Sequence, residues 1–466
     1  MGPDWAALGR DLAGAVIRPE HPDYDVVRKV QIARFDDVRP RAVVRCAGEA
    51  DVAQAVRFAR RSALDLKIRS GGHSSAGFSS GSGLVVDLRP MAAVRVDGDT
   101  VVALSGATLG QIFDALEPHG IMVPTGNHRS VGIGGSALTG GWGVVGRRFG
   151  LTLDHIIEAR IVLADGEVLT CDEARHGDLF WALRGAGAGN FGVVTELRFR
   201  AYRAEPLTNF AYTLPFAAAA RVLAAWMGWI TDLPEAISDV LSLTLAPESD
   251  GQPVIALYGA GSGSAATIQA RIDALFERAG VAPVSRSCRT MSWLDTTRHW
   301  SGEYNHGGLS PSPRAGHQFT RSEYFSRALD DDVVAALIDV LLHDRYPGQQ
   351  RAIDLYHLGG ACARVPRDAT SYFHRDQLYV VKYKCVVDPR ASTVDKSRAH
   401  RWILDAYSTL HGHGSGTAWP SYPDPDLPDP LIAYYGGHVD RLIEVKARYD
   451  PDDVFHFAQS IPPRRP

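Results

Sequence analysis

Three glycine-rich segments in the first 200 residues hold the side chains best suited to chemistry. The first covers residues 69–74 and reads RSGGHS. Because glycine has no Cβ, successive backbone N–H groups can turn toward one point and bind phosphate oxygens. The segment therefore favours a pyrophosphate site with a histidine beside it. A turn that needs positive φ is the structural alternative.

The second segment, residues 126–150, places seven glycines between residues 132 and 146. A helix or a strand with so much glycine would be destabilised, so we expect irregular backbone that lies against something large and flat. No Gly-Lys-Ser/Thr follows, and the spacing of a dinucleotide fingerprint is missing. The third segment, residues 181–194, reads WALRGAGAGNFGVV and leads into a predicted strand at residues 193–198.

Alternating short strands and helices are predicted around these segments. Runs of β-branched residues predict strands at 42–46, 66–69 and 84–88, and hairpins at 94–104 and 156–170. Apolar residues at helical spacing predict helices at 49–63 and 109–119, the second ended by Gly120. From about residue 206 we expect an antiparallel sheet covered by helices, which are predicted at 217–230, 265–278 and 330–342.

Composition limits the classes of partner. The 466 residues carry 49 Lys and Arg against 53 Asp and Glu, a net charge of -4. Without a basic block, neither nucleic acid nor an anionic membrane is expected as a partner. No apolar run is long enough to span a bilayer, and the N-terminus lacks a signal-peptide pattern. Five widely spaced cysteines without a CxxC pair predict reduced thiols, no metal site and a cytoplasmic protein.

The three segments, in this order and spacing, resemble the flavin-binding half of the berberine-bridge-enzyme-like oxidases, of the vanillyl-alcohol-oxidase and p-cresol-methylhydroxylase (PCMH) fold family. The end of the chain is similar too, in YPDPDL at 422–427, YYG at 434–436, YDP at 449–451 and QSIPP at 459–463. The resemblance implies a two-domain α+β flavoprotein of PCMH type. Residues 1–204 and 419–466 would form the FAD-binding domain, and residues 205–418 the substrate domain, an antiparallel sheet with covering helices.

The resemblance also implies how FAD is held. The family's R-S-G-G-H histidine, which is His73 here, forms an 8α-histidyl bond to the flavin. Many members add a second link from a cysteine, but His128 stands at that position, so we expect FAD to be bound covalently through His73 only. The other residues expected to bind the cofactor are Arg69, Ser70, Gly71, Gly72, Ser74, Gly77, His128, Val131, Gly132, Gly134, Gly135, Gly140, Gly141, Gly143, Gly150, Asp154, Asn190, Gly192, Val194, Tyr435 and Gln459.

The catalytic set departs from the family pattern. The family often takes its base from a Y-x-N-Y segment, whereas this sequence reads Trp419-Pro420-Ser421-Tyr422, and an indole cannot accept a proton from an alcohol. Strand alternation places Lys382 and Lys384 on one face and Tyr383 on the other. A buried Lys382 with a lowered pKa could act as a base or bind an anionic substrate; a solvated strand edge is the alternative. The candidate catalytic residues are Tyr422, Lys382, Trp419 and Tyr383.

These features predict an FAD-dependent oxidase of a hydrophobic secondary metabolite. A hydroxyl or phenol of an aromatic or polyketide-like molecule would be oxidised by hydride transfer to flavin N5, with dioxygen reduced to hydrogen peroxide. A dehydrogenase with another acceptor, a carbohydrate oxidase, and a non-redox natural-product cyclase or binding module that retains FAD are the alternatives. A monomer or a homodimer is expected.

Overall fold

A four-stranded sheet forms the N-terminal part of the computed structural model, which describes residues 2–248, 251–302 and 314–465. The strand order is β1-β2-β4-β3, and all neighbours are parallel except β1 and β2. The predicted strands and the helix at 49–63 are confirmed to within two residues. The elements are α1 (Trp5–Arg10), β1 (Ala15–Ile17), α2 (Tyr24–Val27), β2 (Ala42–Arg45), α3 (Glu49–Arg61), β3 (Leu66–Arg69) and β4 (Leu84–Asp87).

An antiparallel five-stranded sheet follows, in the order β5-β6-β10-β8-β9. Both predicted hairpins are confirmed, with Gly98 and Gly166 in the left-handed region at their turns. The helix predicted at 109–119 is confirmed as α4 plus a final 3-10 turn that Gly120 ends at φ +63°. The elements are β5 (Val94–Asp97), β6 (Thr100–Leu104), α4 (Leu109–Leu116), β7 (Ile121–Met122), α5 (Ile133–Thr139), α6 (Gly146–Phe149), β8 (Ile156–Val162), β9 (Val168–Cys171), α7 (Gly177–Ala186), β10 (Val193–Arg200) and β11 (Tyr202–Arg203).

The expectation of irregular backbone throughout the second glycine-rich segment is wrong, because α5 and α6 form within it. A Cβ on Gly134 would lie 2.8 Å from the Cβ and the carbonyl oxygen of Ser105, so glycine lets α5 pack directly on the end of β6. The close approach of two backbones compensates for the low helix propensity of glycine.

The middle of the chain is a seven-stranded antiparallel sheet, in the order β15-β12-β14-β13-β17-β18-β16. Helices cover one face of this sheet and bury a core of their own, as expected. The elements are β12 (Leu207–Leu214), α8 (Ala219–Trp229), β13 (Ile237–Leu245), β14 (Val254–Gly261), α9 (Ala265–Ala279), β15 (Ser285–Met291), α10 (Trp293–Gly302), β16 (His317–Phe325), α11 (Asp331–Leu342), β17 (Gln350–His357), α12 (Ala361–Arg364), β18 (Tyr379–Val387) and α13 (Thr393–His411).

The last part of the chain returns to the N-terminal half. It contains α14 (Pro430–Tyr435) and α15 (Val439–Tyr449). Trp419, Tyr434 and Ile461 are buried in the same core as Phe191 of the third glycine-rich segment. Both halves of the chain therefore share one hydrophobic core, which also includes Ala260, Tyr324 and Val380 of the seven-stranded sheet. The helix-covered face of that sheet buries a second core.

Three further properties hold for the described residues. None of their helices is both long and apolar enough to cross a membrane. They contain no group of three or more His, Cys, Asp and Glu side chains placed to hold a metal ion. The five cysteines are free thiols, four of them buried.

Candidate active site

A cavity of about 870 Å³ lies between the glycine-rich segments and the open face of the seven-stranded sheet. This volume falls within the usual range for cofactor and substrate sites. One wall comes from the three glycine-rich segments, the opposite wall from β16, β17 and β18, and the third from the C-terminal part of the chain. Of the predicted residues, the cavity is lined by Ser70, Gly71, Gly72, His73, Ser74, His128, Val131, Gly132, Gly134, Gly135, Gly141, Asn190, Gly192, Val194, Lys382, Trp419, Tyr422, Tyr435 and Gln459.

The first two glycine-rich segments touch each other through their backbones. A Cβ added to Gly71 would overlap the backbone N of Gly132, and a Cβ on Gly132 would overlap the backbone N of Gly71. Gly135 differs, since it lines the cavity and a Cβ there would meet nothing within 4 Å. Protein packing explains the first two glycines, whereas Gly135 leaves room for a ligand.

This difference predicts opposite outcomes for two substitutions. Gly71→Ala should destabilise the protein, because backbone cannot move aside cheaply. Gly135→Ala should leave the fold intact and even stabilise α5 by roughly 0.5–1 kcal/mol, but it should lower the amount of bound FAD. Thermal unfolding and the ratio of flavin to protein absorbance measure the two effects. A fully flavinylated Gly135→Ala protein would contradict this assignment of the cavity.

Several buried polar atoms along the cavity have no hydrogen-bond partner within the described part of the chain. They are Ser79 Oγ, Ser105 Oγ, Arg129 Nη1, Trp142 Nε1 and Trp419 Nε1. An unpaired buried donor costs about 1–3 kcal/mol, so such atoms are expected where a polar ligand completes the site. A long ligand with carbonyl, ring-nitrogen and phosphate acceptors, as FAD is, fits this set of donors.

His73 faces a second histidine across a shared serine. Ser130 Oγ lies 3.0 Å from His73 Nε2 and 3.1 Å from His128 Nδ1, and the two ring centroids are 5.5 Å apart. Burial, and next the neighbouring His128, lower the pKa of His73 to about 4. The imidazole of His73 is therefore neutral near pH 7 and keeps a lone pair, which a nucleophilic bond to carbon requires. Ser130 was not predicted as a site residue.

The C-terminal part of the chain is fastened to the third glycine-rich segment by buried polar groups. Lys446 Nζ donates to the carbonyl oxygens of Asn190 (2.8 Å) and Phe455 (2.6 Å) and to Asp450 Oδ2 (2.7 Å), and its side chain is fully buried. Asn190 Oδ1 accepts from the backbone N of Ile461 at 2.9 Å. These bonds fix the cavity wall that carries Gln459.

Lys446→Met is accordingly expected to lower the free energy of unfolding by about 3–5 kcal/mol, because it leaves the Asp450 carboxylate buried without its cation. Urea unfolding followed by circular dichroism measures this change. Lys396→Met serves as the control, since Lys396 lies on α13 and takes part in no ion pair among the described residues. Equal midpoints for both variants would show that the Lys446 ion pair does not stabilise the fold.

Strand β18 supplies two lysines to the cavity. Lys382 Nζ lies 3.1 Å from Asp354 Oδ2 and donates to the Tyr356 hydroxyl at 2.6 Å, both on β17. Burial alone would lower the pKa of Lys382, but Asp354 and nearby tyrosines outweigh it and raise that pKa. The expected lowering of the Lys382 pKa is therefore wrong. Lys384 is the lysine whose pKa falls, to about 7, through burial and repulsion by Lys382.

Of the remaining candidate catalytic residues, Tyr422 and Trp419 line the cavity, whereas Tyr383 lies on the helix-covered face of the sheet. Tyr422 lies with its ring centroid 5.2 Å from Lys382 Nζ and 5.6 Å from the ring centroid of Trp419. Tyr383 does not reach the cavity, because strand alternation turns it into the core beneath the helices. The cavity thus brings together Tyr422, Lys382 and Trp419 and leaves out Tyr383.

Six predicted cofactor residues support the cavity without lining it. Arg69 is buried and donates to the carbonyl oxygens of Val27, Arg28 and Ser79. Asp154 forms an ion pair with Arg375 at 2.7 Å. Four glycines shape the backbone around the cavity: Gly77 (φ +74°) against Phe35, Gly140 (φ +142°) against Trp419, Gly143 against Thr125 and Gly150 (φ +103°) beside Asp154.

Sequence reasoning missed Asp354 and Tyr356. Asp354 pairs directly with Lys382 across β17 and β18, and Tyr356 pairs with Val380. Only the register of two strands joins these residues, so no local pattern in the sequence signals them.

Comparisons with known proteins agree with the site. Residues 40–172 match the FAD binding domain model, and residues 420–462 match the model described as berberine and berberine like. The FAD-linked oxidoreductase YvdP of Bacillus subtilis, itself uncharacterised, is 30% identical over 97% of this chain and 99% of its own. Chitooligosaccharide oxidase of Gibberella zeae is 30% identical over 89% of this chain and 86% of its own.

A solved structure confirms the fold. BBE-like 1 of Physcomitrella patens superposes with a TM-score of 0.89 at 27% identity and covers 99% of both chains. The predicted α+β fold of PCMH type is confirmed, and the match over residues 40–172 supports FAD as the cofactor. The predicted domain bounds stay a prediction. The glycine-lined cavity and its buried His73 agree with what these relatives indicate. The chain belongs to the berberine-bridge-enzyme-like FAD-linked oxidoreductases.

Proposed function

We propose that this enzyme oxidises a hydroxyl or phenol of a hydrophobic small molecule and passes the electrons to dioxygen, which gives hydrogen peroxide. The observation that carries the proposal is the position of Tyr422 and Lys382 in the same cavity as His73. When bound, FAD would accept a hydride from the substrate carbon at N5 and be reoxidised by dioxygen.

Tyr422 and Lys382 handle the proton in this proposal. The phenol oxygen of Tyr422, once deprotonated, takes the proton of the substrate hydroxyl. The Lys382 ammonium lies near the Tyr422 ring, and Asp354 keeps it charged. This fixed positive charge would stabilise the negative charge that develops on the substrate oxygen as its proton leaves. Trp419 packs against Tyr422 and supplies an apolar wall.

His73 anchors the cofactor alone in this proposal. Its neutral imidazole is the nucleophile, and Ser130 fixes the ring through Nε2. His128 occupies the position from which other members supply a thiol, and its own pKa is lowered by its enclosure in the cavity and by the ammonium groups of Lys384 and Lys382. The two cysteines nearest in sequence, Cys46 and Cys171, are buried in hydrophobic cores and do not line the cavity, which supports a single covalent link.

The aromatic lining favours a hydrophobic substrate, aromatic or polyketide-like. Trp142, Trp419 and Tyr422 line the cavity, and their flat apolar surfaces suit aromatic rings. A carbohydrate oxidase is the second candidate, because the relative from Gibberella zeae is named a chitooligosaccharide oxidase and because Gln318 and Gln350 on the sheet wall could bind sugar hydroxyls.

A peroxide screen separates these candidates. The holoenzyme is incubated in air with benzylic and phenolic alcohols on one side and with mono- and oligosaccharides on the other, and peroxide is measured with a coupled peroxidase. Peroxide with the aromatic alcohols supports the first candidate, and peroxide with the sugars supports the second. A photoreduced flavin that air does not reoxidise quickly would make the enzyme a dehydrogenase instead.

A further inference from the structure

The two lysines of β18 are not equivalent. Lys382 already has two partners, Asp354 and the Tyr356 hydroxyl. No carboxylate and no hydrogen-bond acceptor among the described residues pairs with Lys384 Nζ, although its side chain lines the same cavity. Its direct neighbours across the sheet are Thr320 on β16 and Ala352 on β17, neither of which can carry a negative charge.

The other long cations that line the cavity are also paired. Lys67 contacts Asp65 and donates to the carbonyl oxygen of His456 at 3.0 Å. Arg129 pairs with Asp114 at 2.5 Å. Among the described lining residues there is no Asp and no Glu. Lys384 thus faces the cavity beside a second ammonium group, and the carboxylate that acts on it through space, Asp354, is already paired with Lys382.

Lys384 and the backbone expected to bind the phosphates of FAD belong to different elements. The glycine-rich segments supply that backbone, whereas Lys384 stands on β18 between Lys382 and Val386, whose neighbours across the sheet are Gln318 and Gln350. A negatively charged group of the substrate would meet the Lys384 ammonium group there, and charge-assisted hydrogen bonds are stronger than neutral ones.

We propose that Lys384 binds a carboxylate of the substrate, so that the substrates are hydroxy or phenolic acids with an apolar body. The inference rests on the proposed function, which supplies the hydroxyl that is oxidised, and it adds a carboxylate to the description of the substrate. Lys382 and Tyr422 act on the hydroxyl, and Lys384, two residues further along the same face of β18, holds the acid. Repulsion between the two ammonium groups, which lowers the pKa of Lys384, is relieved when an anion binds.

The test compares benzoate with benzamide, a neutral molecule of nearly the same shape, by calorimetric titration of the flavin-loaded enzyme. We expect benzoate to bind about tenfold or more tightly than benzamide. Lys384→Met should remove this preference and leave benzamide affinity unchanged, whereas Lys384→Arg should keep it. Lys396→Met removes a lysine outside the cavity by the same change and should behave as the wild type.

Four results would overturn the inference. The first two are equal affinity for the two probes in the wild type and an unchanged preference for benzoate in Lys384→Met. The third is loss of the preference in Lys384→Arg, which would point to a neutral amine acting as a base. The fourth is a Lys384→Met protein whose flavin potential shifts while its benzoate affinity does not, which would assign the lysine to the flavin. The titration needs no turnover. A failed peroxide screen with intact benzoate preference would therefore refute the proposed function alone, and peroxide without the preference would refute only this inference.

Discussion

His73→Ala is expected to yield a protein whose flavin stays in the supernatant after acid precipitation, whereas the wild-type pellet stays yellow. The alanine removes the neutral imidazole that would bond to the flavin, but it leaves the glycine-lined wall and the C-terminal segment in place. FAD should therefore still bind, but reversibly, because only the covalent bond is lost. Flavin absorbance of the washed pellet measures the effect.

His128→Ala is the matched control for this experiment, because it removes an imidazole whose ring centroid is only 5.5 Å from that of His73. Its pellet should stay yellow. Ser130→Ala should form the link more slowly, since His73 loses the hydroxyl that orients its ring. A wild-type supernatant that contains the flavin would refute the covalent link, and a flavin mass on a cysteine peptide would refute the single link.

Tyr422→Phe is expected to lower the rate of flavin reduction by about 10²–10⁴-fold, the usual contribution of a positioned general base. Phenylalanine keeps the ring against Trp419 and Lys382 and removes only the oxygen that takes the proton. The rate is read from the bleaching of the flavin absorbance in a single turnover without oxygen. Reoxidation of the reduced flavin by air should be unchanged, because it does not use this proton transfer.

Tyr383→Phe controls for the loss of a phenol, because Tyr383 lies next to Lys382 on β18 but outside the cavity. Its hydroxyl is buried beneath the helices, without a hydrogen-bond partner in the described part of the chain, and the change should leave flavin reduction as fast as in the wild type. Lys382→Met should also reduce the rate, because the positive charge that would stabilise negative charge developing on the substrate oxygen is lost. A Tyr422→Phe enzyme within threefold of the wild type would eliminate Tyr422 as the base.

Local patterns in the sequence predicted most of the secondary structure near the site. The strand ending at Arg69, both hairpins and the helix ended by Gly120 follow from periodicity and turn chemistry, which act over a few residues. The glycine-rich helix α5 was not predicted. It packs on Ser105, which lies about thirty residues earlier in the chain, so no local pattern indicates the contact. The close contact of two backbones is a tertiary property, and it reversed what helix propensity alone predicts.

The sequence by itself determined the family and the common face of Lys382 and Lys384, and it predicted His73 as the anchor of the flavin, since each depends on residue types at short spacing. Only the tertiary structure decided which lysine is paired. Asp354 meets Lys382 through the register of β17 and β18, and that contact raises the pKa of Lys382 and leaves Lys384 with the lowered one. The charge of a buried group depends on neighbours that the fold brings together, and strand register cannot be predicted from any single segment of the sequence.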